Sequence, residues 1–294
     1  MKLRKTFRKL WLLVRYWYTD RVLQDVAAPA KNGGIDIPEY RGKMPKSIES
    51  SLIVFTVADG NYFDRFGKAF LGSVLENSHG TQVHLHLYNP TNSQLEFIDK
   101  LTKDVLGSSV SVTWETINLD HLHGEDYGRY ICFSRFLRLS ELVKSTGTNC
   151  LLLDIDALVV KSTTQLLTDI GEADVAFYAR FHKAGIDTKM LGGTLYVAST
   201  NNGKKFAELI SSKLERFVSH GKFLEKLDQI VIYDEFTRFR KTCQNFKFYL
   251  FDDRVIDLSF SGGSIIWYPK GDSRMDGVFM EKVDEYDKLL ETKL

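Results

Sequence analysis

Residues 150–160 read Cys150-Leu151-Leu152-Leu153-Asp154-Ile155-Asp156-Ala157-Leu158-Val159-Val160, and this stretch governs the reading of the rest of the chain. Its apolar first half has the character of a strand buried on both faces. At the exit two carboxylates stand one residue apart, and on an extended backbone Asp154 and Asp156 point to the same side. Like charges held together repel and lose hydration unless a cation or hydrogen-bond donors compensate them. A divalent ion carrying a phosphate does this, because hard ions such as Mg2+ and Mn2+ take carboxylate oxygens and complete their shell with phosphate and water. The bland alternative, a solvated Asp-x-Asp turn, sits poorly behind a buried strand.

Upstream, apolar patterning alternates between two periods. Ser51–Ala58 reads as a strand, 62–77 as an amphipathic helix, Gln82–Tyr88 as a strand, 93–105 as a helix and Val110–Ile117 as a strand; a helix over 130–144 then precedes the acidic strand. Such alternation implies right-handed crossovers and a mostly parallel sheet covered on both sides. Ligands of these sheets bind beyond the strands' carboxyl ends, where Asp59, Asn61, Asp154 and Asp156 fall.

These features, in this order, resemble the GT-A glycosyltransferases, especially glycosyltransferase family 8. The resemblance rests on Thr56-Val57-Ala58-Asp59 closing the first strand, Arg135-Phe136-Leu137 on the preceding helix, and the acidic strand itself. It continues in Met190-Leu191-Gly192-Gly193-Thr194-Leu195-Tyr196-Val197, in Asp228-Gln229, and in Ile265-Ile266-Trp267-Tyr268-Pro269-Lys270-Gly271. It covers roughly residues 50 to 275 and implies a Rossmann-like αβα sandwich that moves a sugar from a nucleotide-diphosphate donor, with UDP the expected nucleotide, to a glycan or glycolipid acceptor. Retention of anomeric configuration is implied as well. Asp156 would bind Mn2+ or Mg2+ directly, and Asp154 the metal or the ribose. Thr56, Ala58, Asp59 and Asn61 would meet the nucleoside; Arg135 the donor sugar or the acidic pair; Gly192 and Gly193 the donor sugar; Lys270 and Gly271 the phosphates. Asp228 and Gln229 would flank the reacting carbon.

The chain also departs from the family. Its third metal ligand is a histidine in the C-terminal segment, where Trp267 and Tyr268 stand here, leaving the diphosphate itself or Asp272 to complete a shell. The family's Asn is replaced by Leu191 or Gly192. The chain therefore reads as a divergent member. Two further readings compete. A haloacid-dehalogenase-like phosphatase also uses an Asp-x-Asp strand, with Val197-Ala198-Ser199-Thr200, Lys204 and Asp252-Asp253 in supporting roles, although such chains usually open with that strand. A sugar-nucleotide-binding protein without catalysis would tolerate the missing histidine.

Composition sets the outer limits. The chain has 294 residues, 44% of them hydrophobic, enough for one large packed domain. Its net charge of +1 conceals six basic residues in the first fifteen with no acid among them, which leaves the remainder at −5. That body is no nucleic-acid binder. Cys132, Cys150 and Cys243 suit neither a disulfide framework nor a zinc site, and Asn89-Pro90-Thr91 is blocked as a glycosylation acceptor; both favour a cytoplasmic setting.

Residues 2–24 carry Leu3, Phe7, Leu10, Trp11, Val14 and Tyr18 at helical spacing with basic residues largely opposite. The apolar run is far short of a membrane span. A helix of this kind lies in the headgroup region of an anionic membrane, or packs on its own domain or on a second subunit of a homodimer. Pro29, Gly33, Gly34, Pro38, Gly42 and Pro45 mark a linker, so residues 1–47 are expected to be helix and linker and 48–294 the catalytic domain.

Overall fold

The computed structural model describes residues 37–46, 52–103, 109–118, 122, 125–183 and 185–293; the helix expected over residues 2–24 lies outside them. The first half alternates as β1 (Arg41–Gly42), β2 (Leu52–Asp59), α1 (Gly60–Asn77), β3 (Gln82–Tyr88), α2 (Asn92–Leu101), β4 (Val110–Glu115), α3 (Glu125–Thr146), β5 (Asn149–Leu153) and β6 (Leu158–Val159). The second half contains α4 (Thr163–Ile170), β7 (Val175–Ala179), β8 (Met190–Val197), α5 (Asn201–Ser219), α6 (Leu227–Thr242), β9 (Phe248–Phe251), β10 (Ile256–Asp257), β11 (Ile266–Trp267) and α7 (Gly277–Glu291).

Eight strands form the main sheet in the order β1-β4-β3-β2-β5-β8-β7-β9. β4, β3, β2 and β5 run parallel, while β8 enters antiparallel to both β5 and β7. β1 pairs antiparallel with β4, and the Pro38 carbonyl accepts from Arg138, so the sheet takes up residues that the sequence assigns to a linker. Strands β2, β3 and β5 are buried almost throughout; β2 and β5 are nearly continuous apolar runs, and β3 buries His84 and His86 by hydrogen bonds to Ser111 and Thr113 of β4.

Apolar side chains fill both faces of the sheet. Phe63, Phe66 and Phe70 of α1 pack with Phe279 and Val283 of α7 on one side. On the other, Phe133 and Phe136 of α3 pack with Phe206 and Ile210 of α5 and with Val231 and Phe236 of α6. Each such fully buried side chain contributes about 1.5–3 kcal/mol relative to leaving it in water. The result is the expected αβα sandwich. Helix starts follow local chemistry: the Asp59 carboxylate caps α1 by accepting from the Tyr62 N–H at 2.8 Å, and Thr91 and Gln94 form a reciprocal capping box on α2.

The sequence reading needs one correction that bears on the site. β5 ends at Leu153, before the acidic pair, and Asp154–Asp156 form a turn in which the Ala157 N–H donates to the Asp154 carbonyl at 3.0 Å. Strand alternation therefore does not orient the two carboxylates. The chain then enters a separate three-stranded sheet, β10-β11-β6, in which Leu158 pairs with Trp267. That pairing clips the C-terminal segment onto the residues directly after Asp156.

Candidate active site

A cleft of about 750 Å³ opens at the carboxyl ends of β2 and β5. Gly128, Cys132 and Arg135 of α3, four and three residues apart, line it as a helical stripe with Ile131 beside them. The turn after β5 supplies Asp154 and Asp156, β8 supplies Gly192 and Gly193, and the start of α6 supplies Asp228 and Gln229. The segment after β11 closes the cleft with Tyr268, Lys270, Gly271 and Arg274.

Arg135 organises the floor. Its side chain is 7% exposed, and its guanidinium reaches Asp154 Oδ1 at 2.5 Å and Asp228 Oδ2 at 2.6 Å. Buried charges of this kind persist only when paired in good geometry, and the planar fork of arginine serves two carboxylates at once. Asp228 lies in the first turn of α6, where the helix dipole favours an anion. Burial pushes the Asp228 carboxyl above its ordinary range, and Arg135 opposes that rise. The Tyr268 hydroxyl donates to the other oxygen of Asp154. Burial, and then the charge of Asp154, hold this phenol protonated well above its usual range.

β8 runs directly against this charged group, which explains its glycines. A Cβ on Gly192 would collide with Asp228 and stand 3.0 Å from an Arg135 nitrogen, and one on Gly193 would collide with Asp154 and the Tyr268 hydroxyl. The Gly193 carbonyl in turn accepts from the Asp154 N–H at 3.0 Å.

Asp156 is 2% exposed. Arg274, from the 3-10 turn Gly271–Met275, donates to one of its oxygens, and the other is buried without a partner among the described residues. Burial and then the charge of Asp154 raise the Asp156 carboxyl to about 6. A free, buried carboxylate oxygen fits a divalent ion held by one or two carboxylates together with substrate phosphates. The fit is centred on Asp156, since both oxygens of Asp154 already accept from Arg135 and Tyr268. No group of three or more His, Cys, Asp or Glu side chains among the described residues is arranged to hold a metal ion by itself. Trp267, in the region of the family histidine, is turned into the core beside Phe260, and Asp272 is not among the residues that line the cleft.

Of the residues singled out from sequence, Ala58, Asp59, Arg135, Asp154, Asp156, Gly192, Gly193, Asp228, Gln229, Lys270 and Gly271 all line this cleft. Thr56 and Asn61 do not: Thr56 is fully buried within β2, and Asn61 is exposed in the first turn of α1. Asp59 reaches the cleft rim while capping α1. Gln229, with its amide turned to satisfy its neighbours, donates to the carbonyls of Asp187 at 2.9 Å and Met190 at 2.7 Å, tying α6 to the loop before β8. Arg274 escaped the sequence reading, which offered only a basic residue four positions beyond Lys270 as a signal. The phosphatase residues do not converge on the site. Thr200 caps α5 and donates to Asp174, Asp252 pairs with Arg254, and Asp253 accepts from Tyr178.

The comparisons agree with this geometry. No curated protein sequence matches the chain. The apo glycosyltransferase GlyE of Streptococcus pneumoniae TIGR4 superposes with a TM-score of 0.53 at 15% identity, covering 84% of this chain, which spans only 63% of that structure. The galactosyltransferase LgtC, in complex with donor and acceptor sugar analogs, gives 0.51 at 14% identity and covers 79% of this chain and 95% of its own. The bifunctional glycosyltransferase WbbM gives 0.51 at 12% identity, with 90% of this chain and 54% of that one covered. At such identities the likeness establishes the GT-A fold. A family model for nucleotide-diphospho-sugar transferases matches residues 114–288, from β4 through α7 and across every charged residue of the cleft floor, and the chain belongs to that family.

Proposed function

We propose that this chain transfers a sugar from a UDP-sugar to a glycan or glycolipid acceptor with retention, and that transfer depends on Mn2+ or Mg2+. The observation that carries the reading is the Arg135 fork, which holds Asp154 and Asp228 on either side of Gly192-Gly193 at the floor of a cleft large enough for a nucleotide sugar.

In transfer the bond between the anomeric carbon and the β-phosphate oxygen breaks, its electrons pass to the phosphate, and the acceptor hydroxyl oxygen bonds to that carbon. A divalent ion held by Asp156 and the donor phosphates would supply Lewis-acid stabilisation of the departing diphosphate. Arg274 and Lys270 stand on the same side of the cleft and add positive charge toward that group. Arg135 fixes Asp228 so that its carboxylate can order the sugar hydroxyls, and the Gly192-Gly193 backbone lets the sugar lie flat against the strand. Gln229, whose amide N–H groups hold the chain at Asp187 and Met190, would stand beside the reacting sugar carbon.

Retention asks only that the departing phosphate oxygen take the acceptor proton on its own face. What favours it is the placement of the two carboxylates that follow Asp228 on α6. Glu235 is fully buried against Arg238 and Lys213, Asp234 pairs with Lys213, and neither is a lining residue.

Thermal-shift titration of the full chain with UDP and UDP-sugars, with and without Mn2+, tests the reading, because a ligand stabilises the native state by the logarithm of its concentration over its dissociation constant. UDP with Mn2+ should raise the midpoint and Asp156→Ala should abolish both that rise and transfer. Stabilisation by another nucleotide alone would refute UDP; none by any nucleotide would refute the donor assignment.

A further inference from the structure

Three of the four carboxylate oxygens on Asp154 and Asp156 are already engaged. Arg135 and Tyr268 each hold one oxygen of Asp154, Arg274 holds one of Asp156, and Asp156 Oδ1 is left buried without a partner among the described residues. The two guanidiniums neutralise charge, and Arg135 serves Asp228 as well. Tyr268 is neutral, so what its hydroxyl does for Asp154 is occupy an oxygen.

Tyr268 is fixed where it stands. Its backbone N–H donates to the Asp257 carbonyl at 2.9 Å, directly after the pairing of Trp267 with Asp257 that joins β11 to β10, and the residue is buried. Gly193 closes in from the other side: a Cβ there would lie 2.0 Å from Asp154 Oδ2 and 2.1 Å from the Tyr268 hydroxyl. The hydrogen bond is thus enclosed between β8 and the C-terminal segment. That oxygen of Asp154 enters no cation's shell unless Tyr268 releases it. A hard ion such as Mg2+ surrounds itself with about six oxygens, so one carboxylate oxygen with two guanidiniums close by is a poor site by itself. A diphosphate beside it supplies the oxygens and the negative charge that the chain withholds.

We infer that Tyr268 is a positioning residue that keeps Asp154 out of the metal shell, so that the chain takes up a divalent ion through Asp156 alone and only together with the nucleotide diphosphate. This rests on the metal-dependent transfer reading and gives the acidic pair separate duties. Asp156 meets the ion, while Asp154 anchors Arg135 and through it Asp228. The dependence is reciprocal, since an ion that binds better beside the nucleotide tightens the nucleotide by the same factor.

The test counts free Mn2+ by electron paramagnetic resonance in titrations of the full chain with and without UDP, against a blank of UDP and Mn2+ alone. In the wild-type protein UDP should tighten Mn2+ at least about tenfold, within the usual range for coupling between two ligands. Asp156→Asn should abolish binding under both conditions, whereas Asp154→Asn should retain the UDP-dependent site. Tyr268→Phe removes the hydroxyl, opens no cavity and frees an oxygen of Asp154. Mn2+ without UDP should then bind at least about tenfold more tightly, the scale on which the partners of metal ligands act, and a folding defect produces no such gain. Three outcomes overturn the assignment and leave metal-dependent transfer standing: tight Mn2+ binding by the wild-type chain without UDP, equal losses in the two aspartate variants, or a Tyr268→Phe protein that binds Mn2+ no better than wild type. No Mn2+ uptake by the wild-type chain even with UDP would overturn the metal reading, and this inference with it.

Discussion

Arg135 and Asp228 lie 93 positions apart in the chain and meet in a 2.6 Å ion pair whose side chains are 7% and 5% exposed. Because Arg135 also holds Asp154, removing it strands two carboxylates at the cleft floor. Arg135→Ala should cost about 3–5 kcal/mol in urea unfolding, the usual penalty for breaking a buried pair. Arg135→Lys restores charge without the fork, so it should recover part of the stability while transfer stays at least about a hundredfold down, as for misplaced positioning groups.

Gly193→Ala places a methyl group on Asp154 and the Tyr268 hydroxyl. Neither neighbour is a loose surface side chain: Asp154 is held by Arg135, and Tyr268 is buried. A loss of about 1–3 kcal/mol, typical of overpacking, should appear in the thermal midpoint, with transfer greatly reduced. Gly128→Ala, on the same cleft wall with open space at its Cβ, should change stability little.

Asp156 carries a pH signature. Its folded carboxyl is raised to about 6 from 3.8, so the native state holds that proton more tightly than the unfolded chain does. The contribution to stability is present below about pH 4 and is lost as pH rises through about 6. In EDTA, Asp156→Asn should therefore be more stable than wild type at pH 8, on the order of 3 kcal/mol, with the gap closing toward pH 4. Urea midpoints of both proteins at pH 4, 6 and 8 measure it, and a gap independent of pH would contradict the assignment.

The stereochemical proposal separates Gln229 from Glu235. Gln229→Ala should slow transfer, though less than Asp156→Ala. Glu235→Gln should leave turnover nearly intact and lower stability, because Glu235 is fully buried with Arg238 and Lys213. Proton NMR of the product should show the donor's anomeric configuration; inversion together with an inactive Glu235→Gln protein would overturn retention.

The basic N-terminal segment offers an independent test. We propose that residues 2–24 bind anionic vesicles and release them as salt rises, since the attraction is screened beyond a Debye length of roughly 10 Å at 0.1 M. Sedimentation with phosphatidylserine vesicles should be lost on removing residues 1–36, which leaves β1 and the sheet in place. Undiminished binding by the shortened chain would exclude the helix as the membrane contact.

The sequence by itself determined the layered α/β order, because period-two and period-3.6 patterning are set by the backbone within a few residues. Leu52–Asp59, Gln82–Tyr88 and Cys150–Leu153 were legible as buried strands, and most of the residues that the resemblance singles out line one cleft. Tertiary structure decided what those residues face. Asp154 and Asp156 leave the strand and turn, so their directions depend on Arg135, Tyr268 and Arg274, which lie 19, 114 and 118 positions from their partners. Thr56 shares a strand with Ala58 and Asp59 yet is sealed in the core. Local periodicity places a side chain on an element; the charge it meets there is chosen by the connections between elements, and no short-range pattern records them.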